Sequence, residues 1–583
     1  MPVTQCFFSP YNKTMRRLRK PLGLLCLSCT LTALPALRAQ MDMSAGDHNM
    51  AMGTENQTPP ADLPVPLKMT GIGNSHLKIT ATPEAQLWFD QGLNLLHDYW
   101  DYESARAFEQ SVRVDPQCAM CYWGLYKAES FYHSLAMGYA APALAAAVKL
   151  KDHATERERL YIEASALDED APKQLQLWRK LVSDDPRDIQ ARLFLSQRVD
   201  WKEKLAILEA IIKEDPNNSA ANHYYIHALE GGPNPEQALH SAEVLGTLAP
   251  ASGHMVHMPG HIFSRLGDYA RAEQAFAASI LVDERYMAAQ HVTPDNDWNY
   301  VHNLMYAIEN LMEEGKLNQA AALSAKLTGA RGQLESTLYI YSTRDSISRL
   351  DPHLPVALRT ANWSQVLDLL KAAPPPANLP NLGFLARQLT TIATGMRALE
   401  DRDPAAAEQA AARFDADQSG MPKPPAPVAI ARTQLKIMPD ALLQPLTTTL
   451  AIMSQELRAS LLAAQGKATE AHALFAKAAQ AEKALGYREP PTYIRPVGET
   501  EAAALLAVAD WTDARAAYEQ ALTERPRSGF ALYGVALCSE NLGNATAAAK
   551  EYADFLAAWK DADPTLPQIT HAKAYLAARQ SAN

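Results

Sequence analysis

The sequence predicts an all-α fold, a solenoid of helical hairpins, from three observations. Alanine, leucine, glutamate and glutamine are abundant and aromatic residues make up only 8% of the 583 residues, which favours helix. Apolar residues recur at helical spacing from about residue 83, and no stretch alternates with the period of a strand. The pattern also returns after 34 residues, from Ala238 to Ala272 and from Ala514 to Ala548. Such an array needs no single core, because each repeat packs on its neighbours.

The first repeat, residues 85–116, shows the pattern most clearly. Small residues stand where two helices approach, large residues fill the gaps between them, and a proline ends the second helix. These positions are Trp88, Gly92, Tyr99, Ala105, Phe108 and Pro116. The arrangement and the 34-residue period are those of a tetratricopeptide-like helical hairpin.

Two proline-rich breaks, KAAPPPANLP and GMPKPPAPVA, interrupt the array after residue 370. They predict an N-terminal helical array over residues 83–370 and a C-terminal array over residues 371–583.

Residues 1–39 predict a signal peptide. A basic segment precedes the apolar run LGLLCLSCTLTALPAL and a small-residue cleavage context. The run is short and contains a proline, so no stable membrane insertion is expected after cleavage. An exported, periplasmic protein is therefore predicted, with two routes left open: folded export through Arg16-Arg17, and lipidation at Cys26 or Cys29.

Residues 40–82 contain several prolines and little helical pattern, which predicts a disordered tether. Its first part, QMDMSAGDHNMAMG, is rich in methionine and histidine. That composition resembles the metal-capture tails of periplasmic copper proteins, and chance composition is the alternative.

The net charge of −11 is spread along the chain, which argues against a nucleic-acid partner. The mature chain would keep Cys118, Cys121 and Cys538. So few cysteines predict stability from helix packing. For Cys118 and Cys121, a pair of small apolar helix residues, with or without a local disulfide, is favoured over a metal site.

Two HxxxH pairs are the strongest sign of chemistry. His223 and His227 lie 15 and 11 residues before an alanine that opens the next helix, and His257 and His261 lie at the same distances before the equivalent alanine of the next repeat. Residues four apart share a helix face, and neighbouring repeats place equivalent faces side by side. Four imidazoles are therefore predicted to converge on one concave surface.

His254 and His302 enlarge this patch to six histidines, because each lies 18 residues before an equivalent alanine. Imidazole is a common ligand of zinc and copper. Met255 and Met258 lie between the histidines and would favour copper if they are ligands rather than core residues. Inner-face histidines can also serve only as hydrogen-bonding groups, so a site without metal stays open. The Pro259-Gly260 pair could place His257 on a kink or before the helix begins.

Several segments carry a resemblance more specific than the repeat consensus. They are DPQCAMCYWGL, NHYYIHALE, GHMVHMPGHIFSRLGDY, and EPPTYIRPVGET followed by SGFALYGVAL, spread over most of residues 85–560. In them the chain resembles a family of exported bacterial tetratricopeptide-repeat proteins of unsettled function. The resemblance implies the repeat fold and a histidine-lined groove, and no established reaction comes with it. Related chains carry a small residue in place of Cys121, so it does not imply a functional CxxC.

The function predicted is a periplasmic repeat protein that binds a partner protein or peptide in its concave groove and holds copper or zinc. The expected ligands are His223, His227, His257 and His261, with His254 and His302 in reserve. One alternative is a metal-dependent enzyme that uses the same histidines with Glu230 or Tyr306; binding is favoured over catalysis. The other is an interaction scaffold without metal.

Overall fold

A computed structural model of the protein describes residues 58–132, 138–167, 171–294, 297–330, 343–375, 377–419, 444–487 and 493–580. Within these ranges the chain forms α-helices and three short 3-10 helices, and no strand. The predicted all-α solenoid is therefore confirmed. The predicted signal peptide, the methionine- and histidine-rich residues 40–57 and the break at 420–429 lie outside the described residues.

The helices before residue 331 include the predicted first repeat. They are α1 (Pro83–His97), α2 (Asp101–Val114), α3 (Ala119–Tyr132), α4 (Ala140–Leu150), α5 (Glu156–Ala166), α6 (Ala171–Asp184), α7 (Ile189–Ser196), α8 (Trp201–Glu214), α9 (Ser219–Glu230), α10 (Leu239–Leu248), α11 (Gly253–Arg265), α12 (Tyr269–Gln290), α13 (Trp298–Glu313) and α14 (Leu317–Ala330). The 3-10 helices are Pro60–Asp62, Lys151–His153 and Pro235–Ala238.

The helices after residue 342 continue the array. They are α15 (Thr343–Leu350), α16 (Leu354–Arg359), α17 (Trp363–Ala372), α18 (Pro380–Glu400), α19 (Pro404–Ser419), α20 (Gln444–Ala464), α21 (Ala468–Ala484), α22 (Val497–Ala507), α23 (Trp511–Glu524), α24 (Gly529–Asn541), α25 (Ala545–Ala558) and α26 (Pro567–Gln580). No helix in the described part of the chain is both long and apolar enough to cross a membrane.

The hairpins form because small and large residues alternate as the repeat pattern predicts. Consecutive helices pack against each other along the array. In the first hairpin, α1 and α2 meet where a Cβ on Gly92 would lie 2.9 Å from the ring of Phe108. Tight turns between helices use glycines with positive φ, such as Gly267 (φ 72°) and Gly315 (φ 72°), a conformation that side chains disfavour.

The apolar core runs through the predicted boundary at residue 370. One cluster of buried side chains joins Leu354, Val366 and Leu370 to Leu379 and Phe475. The proline-rich break beginning at residue 371 therefore does not interrupt this core.

The prediction of a disordered tether through residue 82 is wrong for residues 58–82. Leu63, Ile72, Leu77 and Ile79 are buried in the N-terminal core. The backbone of this segment obtains hydrogen bonds from side chains: the Asn94 amide binds both N and O of Ser75, at 2.7 and 2.8 Å. An extended segment whose backbone hydrogen bonds are made by side chains elsewhere has no helical periodicity in its sequence.

Gln91, one helical turn before Asn94 on α1, binds the same segment. Its amide oxygen accepts from Met69 N at 2.9 Å, and its amide nitrogen donates to Leu67 O at 3.0 Å. Residues 58–82 thus occupy a surface of the first repeat that a peptide ligand could otherwise contact.

One covalent and one ionic feature lie in the packed array. A disulfide joins Cys118 to Cys121 at the start of α3, so these thiols are not metal ligands in this structure. Arg359, which is fully buried, makes ion pairs with Glu313 at 2.7 Å and Glu499 at 2.6 Å. These contacts connect α16 to α13, 46 residues away in sequence, and to α22, 140 residues away.

Candidate metal centre

Six histidines meet where α9, α11 and α13 pack together. His223 and His227 come from α9, His302 from α13, and the other three, His254, His257 and His261, from α11. All are buried or nearly so, with His223 and His257 at 0% exposure. The cluster is therefore enclosed between helices. The sequence had predicted that it would lie on an open concave surface.

Helix α11 carries its three histidines on one side because they are spaced three and four residues apart. Ser252 caps this helix, accepting a hydrogen bond from Met255 N at 3.4 Å. The helix continues through Pro259. His257 consequently lies inside the helix, neither before its start nor at its end.

The first triad consists of His223, His227 and His254, whose ligand nitrogens lie within 4.8 Å of one another. Nε2 of His227 is 3.4 Å from Nε2 of His254. Nε2 of His223 is buried and has no hydrogen-bond partner in the described part of the chain. One nitrogen from each of the three rings is thus close enough to the others to bind a common ion.

Each Nδ1 of the first triad is held by an oxygen that can only accept a hydrogen bond. The partners are the backbone oxygen of His97 for His223 (2.7 Å), Glu230 Oε1 for His227 (2.6 Å) and Asn299 Oδ1 for His254 (3.2 Å). A proton is therefore required on each Nδ1, which leaves the lone pair on Nε2. This is the arrangement that second-shell acceptors impose on histidine ligands of metals.

The second triad consists of His257, His261 and His302, which satisfy the same 4.8 Å limit. Nε2 of His257 and Nε2 of His261 lie 2.6 Å apart. Nδ1 of His257 lies 2.7 Å from Asn303 Oδ1. The Asn303 amide is oriented by its own donation to Phe276 O at 2.8 Å, so its oxygen faces the histidine.

Glu230, the last residue of α9, joins the two triads. Its Oε1 lies 2.6 Å from Nδ1 of His227, and its Oε2 lies 2.7 Å from Nδ1 of His261. Both carboxylate oxygens therefore orient rings, one in each triad. Glu230 acts here as a positioning residue.

Burial keeps three of the imidazoles, those of His223, His254 and His257, in the neutral form that binds metals. It is the largest cause that lowers the pKa of His223, His254 and His257 well below the ordinary value, and neighbouring histidines lower each further. Burial alone would raise the pKa of the Glu230 carboxyl. His227 and His261 outweigh burial and hold this pKa well below its usual range.

Aromatic rings enclose both triads. The ring of Tyr99 lies 4.8 Å from that of His223 and 5.3 Å from that of His227, between ring centroids. Tyr99 has a φ of 58°, an uncommon conformation for a bulky residue that is often found at functional sites. Tyr306, whose ring lies 4.6 Å from that of His261, covers the second triad.

The donor set fits a borderline transition metal. A tetrahedral ion with metal–nitrogen bonds of about 2.0–2.1 Å holds its ligand nitrogens about 3.3–3.4 Å apart. The 3.4 Å between His227 and His254 in the first triad matches this spacing. The 2.6 Å between His257 and His261 is a hydrogen-bond distance and would have to widen on binding. Three imidazoles per triad leave a fourth position for water or another ligand.

The structure brings all six predicted histidines together, but not as the sequence grouped them. The two HxxxH pairs do not form one four-histidine site, and His254 and His302 are full members of the triads. Met255 and Met258 are fully buried in an apolar cluster with Ile226 and Phe276, so they act as core residues. They give no support for copper over zinc.

The supporting residues His97, Asn299 and Asn303 were missed. Asn299, Asn303 and His302 lie on α13 within five residues, and that spacing was the available signal. His97 supplies only a backbone oxygen to the site, which no sequence pattern reveals.

A cavity of about 320 Å³ lies beside the second triad. Tyr487, which lines it, has its hydroxyl 3.2 Å from Nδ1 of His261. Glu309, Glu482 and Arg525 also line the cavity. Burial raises the pKa of Glu482 to about 8, so this carboxyl is mainly protonated at neutral pH.

No protein-family model matches the chain, and no curated protein matches its sequence. Among solved structures, the chain is similar to the crystal structure of the APC/C hetero-tetramer Cut9-Hcn1. The identity is 12% and the TM-score 0.25, over 72% of this chain and 84% of that chain. At that level the similarity carries no argument, and the fold is assigned from the helices described above.

Proposed function

We propose that the protein is an exported, periplasmic helical-repeat protein that binds copper or zinc in its buried histidine cluster and binds a partner protein through its repeats. One observation carries the metal part. His223, His227 and His254 each place one ring nitrogen within 4.8 Å of the others, while each Nδ1 is fixed by an acceptor. Packing or hydrogen bonding alone does not require this arrangement. The periplasmic location is supported by the signal-like residues 1–39.

The metal part is tested by metal analysis of protein purified from the periplasm after growth with added copper or zinc. We expect bound metal in the natural protein and its loss when His223 and His254 are replaced together by alanine. The matched control is His240→Ala, because His240 is an exposed residue of α10. Natural protein that carries no metal under both conditions would leave a scaffold without metal as the better description.

Copper and zinc are distinguished by competition, because the triads contain only imidazole nitrogens and imidazole suits both metals. We expect the preferred ion to displace the other from loaded protein at equal concentrations. Since Met255 and Met258 are core residues, their replacement by leucine should leave the preference unchanged.

The partner part rests on the repeat architecture, since stacked helical hairpins offer extended binding surfaces. Residues 58–82 already occupy the Gln91 and Asn94 amides of α1. A peptide partner is therefore expected on later repeats. The test is in-cell crosslinking of the partner to crosslinkers placed either in the C-terminal repeats or on α1. A partner that crosslinks at α1 alone would contradict this expectation.

A metal-dependent enzyme is the second candidate, favoured by the triads themselves. Catalytic zinc sites commonly use three protein ligands and keep one position open, and the 320 Å³ cavity adjoins His261 through Tyr487. Azide added to cobalt-loaded protein tests for an open position. A change in the visible spectrum is expected if one exists, and an unchanged spectrum would favour a binding protein over an enzyme.

A further inference from the structure

The six histidines fall into two groups of ligand nitrogens and do not form one ligand set. His254 and His261 lie seven residues apart on α11, about 10 Å along the helix axis at 1.5 Å per residue. Their ligand nitrogens fall in different groups. One group places His254 with the α9 histidines, and the other pairs His257 and His261 with His302 of α13.

We propose that the cluster is a binuclear centre, with one ion in the first triad, a second ion in the second triad, and Glu230 positioning a ligand of each. This inference rests on the metal binding proposed above and adds the number of ions, the partition of their ligands and the residue that couples them.

The second triad has the organisation of a ligand set in its own right. Nδ1 of His257 and of His261 are both held by acceptors, Asn303 Oδ1 and Glu230 Oε2. Their Nε2 atoms lie 2.6 Å apart, so the metal-free protein needs one proton between them, in the place that an ion would take. The ring centroid of His302 lies 4.9 Å from that of His257. A core built only for packing would place apolar side chains here, because buried polar groups are costly.

The triads are neighbours, which makes the centre binuclear instead of two remote sites. The ring centroids of His254 and His257, one from each triad, are 6.0 Å apart and the rings are stacked. Glu230 spans the junction with one oxygen on each side. One negative charge thus supports ligands of both ions.

Glutamine cannot replace Glu230 in this role. Its amide oxygen accepts from one Nδ1–H, but its amide nitrogen is a donor and faces the other ring. That ring must then carry its proton on Nε2, which blocks the ligand atom. Loss of such a second-shell partner costs about 10–100-fold in metal affinity.

Metal stoichiometry tests the proposal. The full chain, stripped with a chelator, is titrated with Zn²⁺ and the bound ions are counted after dialysis. We expect two ions in the natural protein, one in His254→Ala and one in His302→Ala, and none in the double variant. His240→Ala is the matched control and keeps two. Glu230→Gln should lower the affinity for at least one ion by about 10–100-fold.

A measurement on the unaltered protein keeps the test independent of how the variants fold. Cu²⁺ is added in two steps and the electron paramagnetic resonance signal is recorded. The second equivalent should broaden the signal through coupling between neighbouring ions. Two independent signals of doubled intensity would overturn the binuclear arrangement.

The outcomes separate this proposal from the function on which it rests. One bound ion in the natural protein, unchanged in His302→Ala, would overturn the binuclear centre and leave metal binding intact. No bound ion at all would overturn both. Far-ultraviolet circular dichroism of each variant shows whether its helices have formed.

Discussion

Replacing His97 with glutamine should remove a large pH-dependent contribution to stability. The His97 ring is buried between Tyr224 and Gln190, with its Nδ1 2.8 Å from the tyrosine hydroxyl and its Nε2 2.6 Å from the amide oxygen. Burial lowers the pKa of His97 from 6.5 to about 4, although Gln190 raises it in part. At pH 5 the His97 ring is therefore neutral in the folded protein, whereas the same ring is protonated in the unfolded chain.

The direction follows from proton binding. As the pH falls below about 6.5, His97 in the unfolded chain binds a proton, whereas His97 in the folded protein does not bind one until about pH 4. Stability from this residue is present above pH 6.5 and is lost as the pH falls through this window. With those two pKa values, the loss between pH 7.5 and pH 5.0 is about 2 kcal/mol.

The assay is urea unfolding of metal-free protein at several pH values from 7.5 to 5.0. The stability of His97→Gln relative to the natural protein should improve by about 2 kcal/mol over that range, whatever its value at pH 7.5. Tyr224→Phe is the control, because it removes a hydrogen bond and keeps the imidazole; its effect should be nearly equal at every pH. A constant difference for His97→Gln would refute the reasoning.

Three further outcomes are expected in unfolding experiments. Burial raises the pKa of Glu482 to about 8, so the folded state keeps a proton that the unfolded chain releases. Glu482→Gln should gain roughly 3 kcal/mol relative to the natural protein from pH 5 to pH 8, and a flat difference would contradict the burial. Gly260→Ala should lower the free energy of unfolding by about 1–3 kcal/mol, since a Cβ there would lie 2.3 Å from the Phe276 ring. The control is Gly383→Ala, which should not destabilise the protein because the nearest atom to its Cβ would be 3.6 Å away. Arg359→Met should cost about 3–5 kcal/mol, because it removes the cation that binds two buried carboxylates, Glu313 and Glu499. A smaller loss would show that these carboxylates are better compensated by their other partners or by water.

The repeat fold was predictable because its signals are local. A glycine such as Gly92 is needed where the Phe108 ring leaves no room for a Cβ, and each hairpin shows this exchange within about 34 residues. Such spacing is visible in the sequence without knowledge of distant contacts.

Residues 58–82 were mispredicted because their order comes from distant partners. The backbone of Ser75 is satisfied by Asn94 on α1, and the amide nitrogen of Asn74 donates to Asn217 O, 143 residues away. Prolines and a lack of periodicity suggest disorder when only local patterns are considered. Neither reveals a surface elsewhere that binds an extended chain.

The clustered histidines were predictable, but their grouping was not. Equivalent repeat positions correctly marked both HxxxH pairs as parts of one cluster, although His223 and His257 belong to different triads. The offsets contain no information about distance along the helix axis, which assigns His254 to one triad and His261 to the other. The acceptors on Nδ1 also escaped notice, since a backbone oxygen such as that of His97 has no sequence signature.

Metal binding and folding are expected to be one linked equilibrium in this protein. A buried polar group without a partner, such as Nε2 of His223, costs about 1–3 kcal/mol. An ion that binds only the folded chain raises the free energy of unfolding as its concentration rises. The increase is about 2.7 kcal/mol when the ion is present at 100 times its dissociation constant. The histidines that weaken the metal-free core are therefore the ones through which metal would stabilise it. Because the triads tie α9, α11 and α13 together, that stabilisation should appear as slower local opening of these three helices, measurable by hydrogen exchange with and without Zn²⁺, while α24 to α26 remain unchanged.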